Sequence, residues 1–345
     1  MSVLAGVRVL DLSRLLPGGY ATLLLSDLGA DVVKVEQPGV GDGSRTTPPY
    51  LADGTSGTHV ALHRGKRSIA LDLKHPAGAE AIRRLVVHAD VLVESFRPGV
   101  TDRLGLGYQA LRTVNPRLVY VAISGYGAAG QHAREAGHDI TYLARTGALS
   151  FDGGPDGQPW PSGLQIADFA GGMTAVIAVF AALRAREGTG EGQFCDVSLA
   201  DAARSWLVHH AGALAASAST GTAIPPQPHT GPLNGGLACY RTYRCADDRY
   251  LAVGALETRF FATLLDVVSL PELLPAQYDP GRQAELAERL GAVFATRDRD
   301  AWAVAFAGRD ACVEPVLDLA EAMGDPDARS RGAVWDLPRP DGSTV

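Results

Sequence analysis

The sequence predicts an α/β protein, with a large domain built on a parallel sheet and a smaller α+β unit after it. Three observations carry this reading. Apolar strands alternate with helical stretches from the N-terminus to about residue 218, and strands separated by helices pair in parallel with the helices packed on the sheet. The 345 residues exceed one small core and suit one large domain, or a large and a small one. Composition shifts at SASTGTAIPPQPHTGPLNGG, 217–236, which reads as a linker. The expected division is a large domain over 1–216, a linker over 217–236 and a small α+β domain over 237–322.

The elements follow in order. VRVLDL (7–12) is a strand, and GGYATLLLSDLGA (18–30) is a helix with its apolar stripe at Leu23, Leu24, Leu25 and Leu28. DVVKVE (31–36) is the next strand. A Gly/Pro/Thr loop runs from Pro38 to about Gly57. SIALDL (68–73), a helix from Pro76 to His88, and DVLVESF (90–96) resume the alternation. A helix near 101–113 and the strand LVYVAIS (118–124) follow. DFAGGMTAVIAVFAALRAR (168–186) is the strongest helix, with Asp168 as an N-cap candidate and Arg184 and Arg186 at its C-terminal end. QFCDVSL (193–199) reads as a strand and 200–218 as a helix. Beyond the linker, CYRTYRCADDRYLAVGA (239–255) is a hairpin turning at Ala246–Arg249. Helices are expected near 257–268, 281–296 and 300–307. The 322–345 tail is weakly patterned.

Bulk properties narrow the function. The net charge of −7 argues against general nucleic-acid binding and leaves room for an anionic ligand on a local basic patch. Cys195, Cys239, Cys245 and Cys312 show no CxxC and no zinc spacing, so no metal site is expected. They suit reduced, mostly buried thiols in a cytoplasmic protein. The first twenty residues carry charges where a secretory leader needs an apolar run. TAVIAVFAAL (174–183) is about half of the roughly 20 residues that a membrane span requires.

Several motifs invite chemistry. SGYGAAG (124–130) contains GxGxxG after a strand, but QHAREAGHD beyond it lacks the apolar stripe of a dinucleotide-binding helix. A Gly-rich turn near a ligand is the better reading. HRGKRSIALDLK (63–74) gathers Arg64, Lys66, Arg67 and Lys74, a phosphate site or a solvated basic loop. Arg97, before Pro-Gly, is a possible phosphate clamp. In EAGHDITY, His138 and Asp139 are adjacent, and adjacent side chains point in different directions, so they make a poor dyad. Asp168 and Glu257 read equally as helix-start acids. No spacing rule joins His138, Asp168 and Glu257.

The chain resembles the family III CoA-transferase (CaiB/BaiF) and racemase superfamily almost end to end. GVRVLDLSRLLPGGYATLLLSDLGADVVKVEQPG, RGKRSIALDLKHPAG, ADVLVESFRPGVTDRLGLGY, NPRLVYVAISGYG, GEGQFCDVSLADA and YRCADDRYLAVGALETRFF carry the resemblance. Gly137–Tyr142, Asp168–Gly172 and Val253–Glu257 are similar to the α-methylacyl-CoA racemase group. The resemblance implies that His138 and Asp168 are the acid/base pair and that Glu257 orients His138. Asp168 would be the covalent nucleophile if the chain were a transferase. A non-catalytic CoA- or pantetheine-binding protein is the reading from another class.

CoA contacts are implied at Arg64, Lys66, Arg67, Ala70, Leu71, Asp72, Leu73, Arg97, Gly137, Asp139 and Tyr142. The implied fold is a Rossmann-like large domain completed by 323–345, plus the small domain, in an interlocked-ring homodimer. Glu257 would then come from the partner subunit. The implied reaction uses no metal and no redox cofactor, CoA being part of the acyl-CoA substrate. No nucleic acid and no membrane are expected as partners. Two departures concern the acyl end: the loop 38–62 is longer than in the racemases, and Asn234 stands where they usually carry Asp.

Overall fold

The computed structural model describes residues 2–153, 157–221, 228–339 and 342–344. Residues 222–227 of the expected linker lie outside these. By internal contacts the chain divides into Met1–Pro225 and Pro226–Val345.

The first unit begins β1 (Arg8–Asp11), α1 (Leu15–Asp27), β2 (Asp31–Glu36), α2 (Gly57–His63), β3 (Arg67–Ala70), α3 (Pro76–Val86) and β4 (Val91–Glu94). It continues α4 (Val100–Arg103), α5 (Tyr108–Val114), β5 (Val119–Ser124), α6 (Asp139–Thr146), α7 (Ile166–Thr189), β6 (Phe194–Ser198), α8 (Leu199–Ser205) and α9 (Val208–Thr220). Six strands form one sheet in the order β3-β2-β1-β4-β5-β6, and every neighbouring pair is parallel. The order reverses between β1 and β4. That is the doubly wound arrangement, whose ligand crevice lies beyond the strand C-termini at the reversal.

Alternation along the strands divides two cores. Val9, Val91, Val93, Val119, Val121 and Ile123 pack under α1 and α7, with Leu25, Ala175 and Val179. Leu10, Leu92, Tyr120 and Ala122 face the other way, onto Ile82 and Val86 of α3 and Leu111 of α5. Gly172 lets α1 and α7 approach closely, because a Cβ there would stand 2.9 Å from the Pro17 carbonyl oxygen.

Local physics shifts several expected boundaries. The first helix starts at Leu15 rather than residue 18, with Pro17 in its first turn, where a missing N–H costs nothing. The strand expected over 68–73 ends at Ala70; beyond it Asp72 Oδ1 accepts the Lys74 N–H at 2.9 Å and turns the chain. The helix expected near 101–113 is split into α4 and α5, and between them Gly105 adopts φ +67°. The 200–218 helix likewise divides into α8 and α9. After β5, GxGxxG opens no helix, as the sequence reading held. α7 runs for 24 residues, well beyond the 174–183 stretch, and by length and composition is apolar enough to cross a membrane. Its buried face, including Ala167, Ala170, Ala175 and Val179, belongs to the sheet's core.

The second unit holds β7 (Tyr240–Arg244), β8 (Tyr250–Gly254), α10 (Thr258–Val267), α11 (Gln283–Phe294), α12 (Arg299–Phe306), β9 (Val313–Pro315), α13 (Leu319–Gly324) and α14 (Pro326–Ser330). Its antiparallel sheet runs β7-β8-β9. Phe261, Leu264, Leu290, Phe294 and Trp302 fill its core, and Trp302 Nε1 donates to the Phe294 carbonyl at 2.9 Å. The segment 323–345, which the resemblance assigns to the large domain, groups with this unit here. Just ahead of that segment, Glu321 is tied into the unit. Its carboxylate accepts both terminal nitrogens of buried Arg299 at 2.9 Å and pairs with Arg249. All four cysteines are free; Cys239 and Cys245 are buried, Cys195 is half-buried, and Cys312 is exposed.

Ile82 is fully buried between α3 and the sheet. Ile82→Ala is expected to lower unfolding free energy by about 2–4 kcal/mol, the usual cost of a large-to-small core change. Urea unfolding checks this; a midpoint at the wild-type value would contradict it.

Candidate active site

A cavity of about 600 Å³ opens beyond the C-terminal ends of β1, β4 and β5. Its wall takes Arg14 and Leu15 after β1, Ser95, Phe96 and Arg97 after β4, and Ser124 and Gly125 at the end of β5. The segment leading into α6 contributes Gly137 and His138, α6 itself contributes Tyr142, and α7 contributes Asp168. Thus the fold brings together five of the sequence-identified residues: Arg97, Gly137, His138, Tyr142 and Asp168. It lies at the sheet's reversal, where a doubly wound sheet leaves room.

Asp139 assembles this arrangement from outside the cavity wall. Its Oδ1 accepts the N–H groups of Ala167 and Asp168 at 2.7 and 3.1 Å, clamping the start of α6 to the start of α7. Asp168 is therefore not the N-cap of α7. The helix begins two residues earlier, at Ile166, and its cap comes from Asp139 across the site. The Ile166 N–H bonds the Leu164 carbonyl and the Phe169 N–H the Gln165 carbonyl, so all four first-turn donors are engaged. An oxyanion at Asp168 would find no spare N–H there. In α6, helix geometry leaves the Asp139 and Ile140 N–H groups without an intrahelical acceptor. Thr141 fixes His138 from the other side: its Oγ1 accepts the His138 N–H at 3.0 Å and donates to the His138 carbonyl at 2.7 Å.

Tyr142 is fitted by two glycines. A Cβ on Gly125 or Gly137 would lie 2.7 or 2.5 Å from its ring, and its Oη donates to the Gly137 carbonyl at 2.8 Å. Burial, then the nearby Asp168, push its hydroxyl up to about 12, so it remains a neutral donor. Burial also raises the Asp168 carboxyl from 3.8 to about 6; Asp139 adds to the rise and His138 opposes it. Burial raises Asp139 too, and the two N–H donors offset part of that.

The rim is cationic. Arg97 is exposed and enters no ion pair among the described residues. Arg14, absent from the sequence-identified set, also lines the cavity, with its guanidinium 4.9 Å from the Phe96 ring. Ser95 stitches these segments together, its Oγ accepting the Arg14 N–H at 2.8 Å. The signal for Arg14 was its position immediately after the first strand, where doubly wound sheets bind ligands.

The other basic residues are engaged elsewhere. Lys66 points inward with its side chain 1% exposed, and its Nζ lies 3.4 Å from Asp11, 2.9 Å from the Gly19 carbonyl and 2.7 Å from Thr22 Oγ1. Lys34 joins Asp11 and Asp42 at 3.5 and 3.3 Å, completing a buried ionic cluster. Burial lowers Lys66 to about 8, with Asp11 resisting. Arg64 pairs with Asp27, and Arg67 makes a forked contact with Asp31 at the surface. Ala70, Leu71, Asp72 and Leu73 lie on the edge strand and its exit, outside the cavity wall. Glu257 belongs to the second unit, where it is the exposed N-cap position of α10.

Two outcomes follow. Lys66→Met leaves Asp11 with only the more distant Lys34, so a stability loss of about 3 kcal/mol is expected, the order seen when a buried pair loses one partner. Urea unfolding measures it, and a loss below about 1 kcal/mol would contradict a buried role. At Asp168, a carboxyl that holds its proton more tightly folded than unfolded penalises folding once it ionises. That penalty is absent below about pH 4, grows to pH 6 and is complete above. Asp168→Asn is expected to stabilise by about 1–2 kcal/mol at pH 8, after discounting for partial exposure, and not at pH 4. Melting curves at both pH values decide it; equal gains at both would contradict the burial argument.

A family model described as CoA-transferase family III matches residues 4–345. The chain is 38% identical over 333 residues to an alpha-methylacyl-CoA racemase of Mus musculus, covering 96% of this chain and 82% of that protein. It is 32% identical over 346 residues to a succinyl-CoA:glutarate CoA-transferase of Mus musculus, covering 99% and 78%. A CaiB/BaiF family protein from Brucella suis has a similar crystal structure, with a TM-score of 0.86, 32% identity, and coverage of 99% of this chain and 90% of that one. The match spans both units and every element around the cavity, and the chain belongs to CoA-transferase family III.

Proposed function

We propose that this chain inverts the α-carbon of a 2-methylacyl-CoA thioester by 1,1-proton transfer through an enolate. The observation that carries the reading is the pairing of His138 and Asp168 on one cavity, with the Asp168 carboxyl raised to about 6. Inversion needs one group to remove a weakly acidic proton and another to return one on the opposite face. Both work best with a proton affinity near neutral. His138 serves one face and Asp168 the other. The enolate oxygen draws its hydrogen bonds from unpaired N–H groups at the start of α6, next to the cavity-lining His138, since the α7 donors are occupied. Arg97 and Arg14 supply positive charge for the CoA phosphates. Protons alone move, so the reaction calls for no metal and no redox cofactor.

In this reading Glu257 orients the His138 ring, by the logic of other His–carboxylate pairs. It reaches His138 from a second copy of the chain, in an interlocked homodimer. The apolar residues that α7 and α9 leave in solvent support a partner of this kind: Met173, Ile177, Val208 and Leu214 are 45 to 75% exposed.

A second reading is CoA transfer between carboxylic acids, with Asp168 as the attacking carboxylate. Its support is the same cavity-lining carboxylate, together with the similarity to succinyl-CoA:glutarate CoA-transferase.

Incubation of a (2R)- or (2S)-2-methylacyl-CoA in deuterated water is expected to place deuterium at the α-carbon. His138→Ala and Asp168→Ala should each slow exchange by about a hundredfold or more, with CoA still bound. No exchange across several acyl groups would sink the racemase reading. A hydroxylamine-trappable adduct on Asp168 would favour transfer, and tight CoA binding with neither reaction would favour a binding protein.

A further inference from the structure

The second unit builds a rigid backbone strap that ends at Glu257. The N–H groups of Gly254 and Ala255 bond the carbonyls of Cys312 and Cys239, both at 2.8 Å. On the far side, the Glu257 carbonyl accepts the N–H groups of Phe260 and Phe261 at 2.9 and 3.0 Å and begins α10. Between these anchors lie two carbonyls that no sheet or helix partner satisfies, those of Ala255 and Leu256. Gln277 satisfies both. It is 3% exposed, and its Nε2 donates to the Ala255 carbonyl at 3.2 Å and to the Leu256 carbonyl at 2.8 Å. Tyr278 adds its Oη to the Leu256 carbonyl, and the Glu257 charge reaches Tyr278.

The turn that presents these donors is itself tied down. Gln283 Nε2 donates to the carbonyls of Gln277 and Asp279 at 3.1 and 2.9 Å, while Gln283 Oε1 accepts the Ala238 N–H at 2.9 Å. A buried amide with two donors on consecutive carbonyls restricts both peptide planes, because rotating either would leave a buried acceptor unmatched. The side chain at the end of this strap is treated differently. Glu257 is exposed, makes no side-chain cap on α10, and enters no ion pair among the described residues. The backbone is over-determined while the carboxylate is left free to act on something else.

We propose that Gln277, assisted by Tyr278, is a positioning residue that fixes the direction of the Glu257 carboxylate. The inference rests on the reading above that Glu257 orients the reacting histidine. Gln277 touches no reacting atom; it holds the peptide planes that set where the Glu257 side chain departs. Misdirecting an orienting group slows the chemical step and leaves the substrate's remaining contacts alone.

The test uses the full chain and α-deuterium exchange on a 2-methylacyl-CoA. Gln277→Ala is expected to lower kcat about tenfold with KM within about twofold. Glu257→Gln lowers kcat at least as far, and the double variant is no slower than Glu257→Gln alone, because both changes remove one function. Tyr278→Phe removes only the outer donor from a half-exposed residue and is expected to cost about threefold, again with no added loss in the Glu257→Gln background. It decides the matter if Gln277→Ala does not fold.

An unchanged kcat in Gln277→Ala, or losses that multiply in the double variant, would overturn the positioning role while leaving Glu257's role intact. A Glu257→Gln variant with wild-type exchange would instead overturn the orienting role of Glu257, and this inference with it.

Discussion

The grip of the Asp139 carboxylate on the first turn of α7 is the constraint on which the site depends. One oxygen receives two backbone N–H groups from a segment 28 and 29 residues further along the chain. Charge-assisted bonds of this kind are short and directional. They set the approach of the two helix starts. Because His138 precedes Asp139 and Asp168 belongs to the gripped turn, both cavity-lining side chains inherit their placement from one contact. The same charge helps Asp168 keep its proton. Anchoring and tuning are therefore inseparable: removing the anchor also changes the acid.

Around this contact the sheet supplies position and a buried ionic cluster supplies rigidity. The reversal between β1 and β4 opens the crevice, and its floor is made by strand ends that are buried on both faces. On one flank, Asp11, Lys34, Lys66 and Asp42 bind the loop after β2 to the sheet and to α1. Buried ions are a poor source of net stability but a strict source of register, because any slip strands a charge. Ser44, Thr47, Thr58 and Leu62 line the cavity, and the Ser44 N–H bonds Asp42 of this cluster at 2.9 Å. The cavity has at least one wall that does not yield easily.

Much of the fold was legible because burial leaves a pattern. Strands such as LVYVAIS are apolar on both faces, and a central parallel strand requires that. What escaped notice was set by tertiary partners. α6 carries only two buried residues and has a His at its N-cap position, so neither stripe nor cap announced it. Asp168 has the chemistry of an N-cap, but the cap arrives from Asp139, and sequence distance hides that. The basic run at 63–74 reads alike whether its lysine is solvated or buried, and only the structure separates Lys66 from Arg64 and Arg67. Arg14 escaped for the opposite reason: its one signal was its position after a strand, and no run of basic residues marked it. The strap at 254–257 depends on an amide twenty residues away, and no periodicity records such a bond.

The adjacency of His138 and Asp139 carries a further consequence. Two consecutive Cα atoms stand about 3.8 Å apart whatever the fold does. The anchor and the His138 ring are thus coupled by a covalent ruler that no packing change can stretch. Surface loops tolerate changes in length, but the step from His138 to Asp139 does not. One inserted residue would leave the two helices clamped as before while carrying the imidazole to another face. The spacing within that dipeptide is set by covalent geometry, whereas the spacing of the cavity walls is set by packing.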